Sequence, residues 1–341
     1  MLNSITGQEK PLARLHAMFL KNTVPHAMLF SGIEGVGKAD VATYLAMAFN
    51  CRNMNLSNNT SEEPSSQLIK ISCKKCTPCK KILSRNHPDF IEINPTGKII
   101  KISQIRDLCS TLLLKSYEAD KRVVIINKAE TMNKEAGNAL LKVLEEPPAN
   151  TFFILTSTQP SDLLPTILSR CQNIGFYPVS SENIKLYLNK YYKITKETAE
   201  VISAVSNGNL KNAVLMADNN KYLEQSLAKR LWVIDEFNTL KNQPLGKCLL
   251  FAEKLTEKKE DITNTLGTLL NYVRDLIVHK YNNNEIINHD LAEKISQQSK
   301  IFSVESLLTI TNLIQDAQKE IMANASLRLT LESMVIKIAR V

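Results

Sequence analysis

Ala27-Met28-Leu29-Phe30-Ser31-Gly32-Ile33-Glu34-Gly35-Val36-Gly37-Lys38-Ala39 joins a short apolar run to a glycine-rich turn and a lysine. The run has strand length and the residues after Lys38 read as an amphipathic helix, so the turn lies between a strand and a helix. A phosphate-binding loop requires that context. Its glycines let successive backbone N–H groups converge on phosphate oxygens at a helix N-terminus, and its lysine adds a point charge for the outer phosphates. Gly32, Gly35, Gly37 and Lys38 are therefore candidate phosphate-binding residues. A purely structural glycine turn is the competing reading, and both flanks weigh against it.

The residue after the loop lysine should carry a hydroxyl that helps hold magnesium, and here it is Ala39. A second metal ligand belongs at the end of a buried strand. The candidate strand Arg122-Val123-Val124-Ile125-Ile126 ends in Asn127, and Lys128 follows where many such ATPases place a glutamate that polarises the attacking water. Three changes directed at one magnesium and one water predict a pocket that no longer hydrolyses ATP. Nucleotide binding through Gly35, Gly37 and Lys38 stays open.

Outward from this loop, residues 1–177 alternate short β-branched or aromatic runs with amphipathic segments, the pattern of an α/β fold with a largely parallel sheet. The runs are Ala27 to Ser31, Phe90 to Ile93, Val123 to Ile126, Phe152 to Ser157 and Ile174 to Phe176. Gly137 to Glu146 reads as a helix stopped by Pro147-Pro148. After Pro178 the pattern turns wholly helical. Three short helices fit 181–219, Asn207-Gly208 marks a helix stop, Asn219-Asn220 a linker, and Asn282-Asn283-Asn284 a turn. A stripe of Ile262, Leu266, Leu269, Leu270, Val273, Leu276 and Ile277 opens into larger helices. The expected domains are 1–177, 178–220 with three short helices, and 221–341 as an all-helical third domain.

With 341 residues, 44% of them hydrophobic, and only ten glycines, the chain can bury more than one core, which excludes a disordered or collagen-like protein. No apolar run approaches membrane-spanning length, and Leu12 to Leu20 is broken by Arg14 and His16, so a soluble, cytoplasmic chain is expected. A net charge of +8 favours polyanionic company or is a composition bias. Cys73, Cys76 and Cys79 stand at two-residue gaps, and Cys51 supplies a fourth thiol across the polar insertion Arg52 to Gln67. Four thiolates satisfy tetrahedral zinc with no open position, which predicts a structural Zn2+ site in a module at 51–79. Iron–sulfur ligation by the bacterial run needs a cysteine at 83, where Leu83 stands. Lys74, Lys75, Lys80 and Lys81 either offset the charge of this centre or form an ordinary solvated face. Cys109 and Cys248 read as packed thiols.

Three segments together resemble the bacterial clamp-loader family of AAA+ proteins. They are Pro25-His26-Ala27 leading into the loop, Asn138-Ala139-Leu140-Leu141-Lys142-Val143-Leu144-Glu145-Glu146-Pro147-Pro148, and Ser169-Arg170-Cys171. His87-Pro88-Asp89, Asn324 and Leu327 to Glu332 also fit, so the likeness covers nearly the whole chain. The motor subunits of this family keep the hydrolytic residues. Their loss at Ala39, Asn127 and Lys128 points to the family's non-hydrolysing stator subunit. The resemblance implies a lid, a C-terminal collar and a five-subunit ring with gamma or tau motor subunits and a delta subunit. It also implies a sliding clamp and primed DNA as partners within the DNA polymerase III holoenzyme. Arg170 would complete the ATP site of an adjacent motor as an arginine finger, whereas the tripeptide alone reads more simply as a surface salt bridge. Lys211 stands where the family's lid often has a sensor arginine. Two rivals remain: an ATP-hydrolysing motor subunit with degenerate metal ligands, and a zinc-containing DNA-binding protein. The second lacks the interleaved aromatic and basic residues that stack bases.

Overall fold

The computed structural model describes residues 5–54, 71–241, 243–257, 262–282, 285–323 and 325–341. Most of the insertion 52–67, the Asn283-Asn284 part of the expected turn, and Asn324 lie outside the described residues. Two compact units result, Met1–Val179 and Ser180–Val341.

The first unit is built on five parallel strands in the order β2-β3-β4-β1-β5. They are β1 (Ala27–Ser31), β2 (Phe90–Ile93), β3 (Arg122–Ile126), β4 (Thr151–Ser157) and β5 (Gln172–Gly175). Every residue of β1 and β3 is buried, as strands covered on both faces must be. Register pairs Leu29 with Leu155 on one side and with Asn173 on the other. The parallel α/β expectation therefore holds. One strand is shifted: the run expected at Ile174 to Phe176 pairs as Gln172–Gly175, because its ladder runs alongside Met28 to Ser31.

Among the described residues, helices α1 (Glu9–Leu20), α2 (Lys38–Asn50), α3 (Thr77–Leu83), α4 (Ile102–Leu112), α5 (Lys134–Glu145) and α6 (Pro165–Leu168) join the sheet in this unit. Helix α5 begins three residues before the expected Gly137, because the Asn133 side chain accepts from the Ala136 N–H and caps the first turn. It lays Ala136, Leu140 and Leu144 into a core shared with Ile105, Leu108, Val124, Ile126, Phe153 and Ile167. Gly137 lies on the same side, where a Cβ would stand 2.8 Å from Leu164 Cδ1, so its absence lets α6 approach closely.

The second unit is helical among its described residues. The expected three short helices are α7 (Ser181–Tyr191), α8 (Lys196–Val205) and α9 (Leu210–Asp218). Asn207 and Gly208 both take positive φ after α8, as the helix stop requires. Asn219-Asn220 is no linker. Asn219 caps α10 (Asn220–Thr239) by accepting from the Tyr222 N–H, so one residue separates α9 from α10. Then follow α11 (Leu245–Glu257), α12 (Ile262–His279), α13 (Ala292–Ser299), α14 (Val304–Met322) and α15 (Leu327–Ala339). The stripe read from Ile262 to Leu276 is the spine of their core, together with Phe237, Phe251, Ile310 and Leu331. No described helix is long and apolar enough to cross a membrane.

Candidate functional site

Strand β1 delivers Gly32 to the carboxyl edge of the sheet, where open α/β folds bind ligands. Gly32 takes φ +145 beside the end of β5, and a Cβ there would collide with the Phe176 carbonyl. Gly37 is left-handed at the N-cap of α2, a conformation that glycine adopts without the strain a Cβ would bring. Lys38 is only 8% exposed. Its ammonium donates to the carbonyls of Gly32 (2.5 Å) and Ile33 (2.7 Å). Burial pushes its pKa down to about 8, with Lys128 adding to the fall while Glu130 and Glu34 oppose it.

The carboxyl end of β3 carries the residues that replace a hydrolytic site. Asn127 Nδ2 donates to Glu92 (2.7 Å) and Asn94 (3.0 Å), and its Oδ1 accepts from the Thr156 hydroxyl (3.2 Å). The amide is thus engaged on both sides as a structural tie. Lys128 takes a left-handed φ of 51 and puts Nζ 2.9 Å from Glu34 Oε1, so a cation meets the phosphate loop where a general base would stand. Ala39 offers no oxygen. One carboxylate does remain close: Glu130 Oε1 accepts from the Thr158 N–H (3.1 Å) and hydroxyl (2.7 Å), while its Oε2 is buried with no partner.

A second site lies between the ends of α5 and α6. Arg170 Nη2 meets Glu145 Oε1 at 2.6 Å, and Nη1 donates to the Thr166 carbonyl (2.9 Å) and the Ser169 hydroxyl (3.3 Å). The guanidinium stays about one-third exposed, at 34%. Glu145 lay within a quoted motif, yet nothing in the sequence signalled that it reaches Arg170.

The four expected cysteines come together. The Sγ atoms of Cys51, Cys73, Cys76 and Cys79 all lie within 4.8 Å of one another, and no other such group of metal-ligating side chains occurs among the described residues. Zn–S bonds of about 2.3 Å place tetrahedral sulfurs roughly 3.8 Å apart, so a small contraction would seat an ion. Backbone donors already face the sulfurs: Cys73 N–H to Cys51 Sγ (3.2 Å), and Cys76 N–H (3.2 Å) and Lys75 N–H (3.5 Å) to Cys73 Sγ. The last two hold the Cys73 pKa down to about 6, whereas burial pushes Cys51 and Cys79 up. The donor set fits a thiophilic metal. Of the neighbouring lysines, Lys81 pairs with Glu118 (2.7 Å) and Lys74 lies 4.6 Å above the Tyr44 ring. Cys248 is buried and Cys109 half-buried, apart from this cluster. Lys211 is exposed in the first turn of α9.

A buried carboxylate whose contacts the sequence did not signal braces the sheet edge. Asp89 accepts from the N–H groups of Tyr117, Glu118 and Ala119 and from Arg122. Burial alone would raise its pKa, but these donors outweigh it and hold the carboxyl below its usual range.

The family model described as DNA polymerase III, delta subunit, matches residues 7–180, and that for the C-terminal part of the delta subunit matches residues 224–338. DNA polymerase III subunit delta' of Bacillus subtilis is 30% identical over 334 residues, 96% of this chain and 95% of that protein. Subunit delta' of Haemophilus influenzae is 28% identical over 306 residues, 87% of this chain and 84% of its own. Subunit tau of Bacillus subtilis is 27% identical over 293 residues, which span 81% of this chain and 50% of tau.

Proposed function

The chain belongs to the DNA polymerase III delta-subunit family, among its delta' members, and from that premise we propose that it is the non-hydrolysing stator of a clamp loader. The observation that carries this reading is the pocket itself. Ala39 supplies no metal ligand, Asn127 is tied to Glu92, Asn94 and Thr156, and Lys128 brings an ammonium to Glu34 of the loop. An ammonium at neutral pH cannot take a proton from water, so the chain holds no general base where one is needed.

Arg170 acts outward, on an ATP bound by the adjacent gamma or tau motor. A guanidinium directed at the transferring phosphoryl group stabilises the charge that develops in the transition state. Residues 178–220 serve as lid and 221–341 as collar, holding the chain in a five-subunit ring with the motors and delta. Sliding clamp and primed DNA are engaged through that ring, in the cytoplasm. Cys51, Cys73, Cys76 and Cys79 hold a structural zinc that ties the end of α2 to the segment 73–79. Elemental analysis should return about one zinc per chain, and iron in its place would overturn the assignment.

Arg170→Ala tests the main reading. Assembly should stay intact while DNA-stimulated ATP turnover of the complex falls, and unchanged turnover would sink it. A second reading, a motor with unusual metal ligation, draws on the unpartnered buried Oε2 of Glu130, one turn beyond the usual ligand position. It requires ATP hydrolysis by the isolated chain.

A further inference from the structure

We propose that Glu145 is a positioning residue for Arg170, fixing the guanidinium before the neighbouring subunit's phosphates reach it. This rests on the reading of Arg170 as an arginine finger. The geometry has two sources. Helix α5 ends at Glu145, and Gly137 within it lets α6 pack close enough for the residues just beyond α6 to meet that end. Arg170 is then held from both elements, by Glu145 at 2.6 Å and by Thr166 and Ser169. The C-terminal carbonyls of α5 add partial negative charge beside the cation.

The pair does little for the fold. Its side chains are 34% and 49% exposed, so solvent screens the attraction. What it supplies is order. An arginine gives up rotamer freedom whenever it is immobilised on a ligand, and here three bonds already restrict it. Of the five guanidinium donors, the three bonds occupy both on Nη1 and one on Nη2. Nε–H and the second Nη2–H are left for an incoming phosphoryl oxygen.

The experiment uses assembled complexes carrying Glu145→Ala, Glu145→Asp, Arg170→Ala or the double change Glu145→Ala with Arg170→Ala. Each is read for assembly and for kcat and KM in DNA-stimulated ATP turnover. Misplacing a group that acts in the transition state lowers kcat, so Glu145→Ala should cost about tenfold or more with KM unchanged. Glu145→Asp should recover part of that loss, and the double variant should be no slower than Arg170→Ala alone. Glu145→Ala turning over at or above the wild-type rate overturns the proposal, and so does a loss that adds to that of Arg170→Ala. If Arg170→Ala is slow and Glu145→Ala is not, only the positioning role fails. If Arg170→Ala itself is harmless, the finger reading fails and Glu145 with it.

Discussion

Lys38 and Arg170 are both cations held by their own subunit, and they differ in which way they face. Lys38 is buried in the first unit, bonded to two loop carbonyls, with Glu34 of the same loop paired to Lys128. Arg170 is about one-third exposed, braced by Glu145, Thr166 and Ser169 with its remaining donors open. The phosphate loop has kept its backbone shape, set by Gly32 and Gly37, while the side chains that would act on bound ATP are gone. The arginine corner presents a side chain that, on the proposed reading, serves another molecule. On the proposed reading a subunit loses hydrolysis in its own pocket and still contributes to hydrolysis in a neighbour's, because Lys38 follows the carboxyl end of β1 whereas Arg170 precedes the amino end of β5.

The largest effect should come from the outward-facing side. Arginine fingers are worth about a thousandfold to a hundred-thousandfold in kcat, so Arg170→Ala should slow the site it serves by that order, measured in single-turnover assays of the assembled complex. A remote control follows. Asp89→Asn should cost about 3 kcal/mol in denaturant unfolding by leaving Arg122 buried without its partner, yet it should not alter turnover at the arginine corner. Because the native carboxyl titrates below its usual range, its contribution is present above roughly pH 4 and is lost as pH falls through the native value. Asp89→Asn should therefore flatten the acid limb of the stability curve.

Rebuilding the pocket probes the other side. Ala39→Thr, Asn127→Asp and Lys128→Glu together return an oxygen and two carboxylates to the pocket. Titration with a fluorescent ATP analogue should show magnesium tightening binding about tenfold, near 1.4 kcal/mol, and the natural chain should show no such dependence. The smallest effect belongs to Lys38. Its burial costs stability while it is charged, and that cost lifts as pH rises from about 8 toward the ordinary lysine value. Lys38→Met should keep complex turnover within about twofold and raise unfolding stability at pH 7 by about 1 kcal/mol, after the two lost carbonyl bonds are offset.

Much of the first unit was legible because its signals are local. Strands β1 and β2 begin and end where their apolar runs do, and the glycine turn between β1 and α2 announced itself by its flanks. Capping was missed twice. Asn133 starts α5 three residues early, and Asn219 starts a helix where a linker was expected, since the same asparagine chemistry serves loops and N-caps alike. Strand β5 moved because pairing with β1 sets its ends, and pairing is invisible along the chain. The cysteines were legible through their spacing. The contacts of Lys128 and Arg170 were not: Lys128 with Glu34 and Arg170 with Glu145 join residues far apart in sequence, brought together by strand order and helix packing.

The most direct measurement is ATP turnover by the isolated full chain with magnesium, with and without primed DNA. The stator account predicts none under either condition. Steady hydrolysis that Lys38→Ala abolishes would contradict it, and would make Glu130 the first residue to examine as a displaced metal ligand.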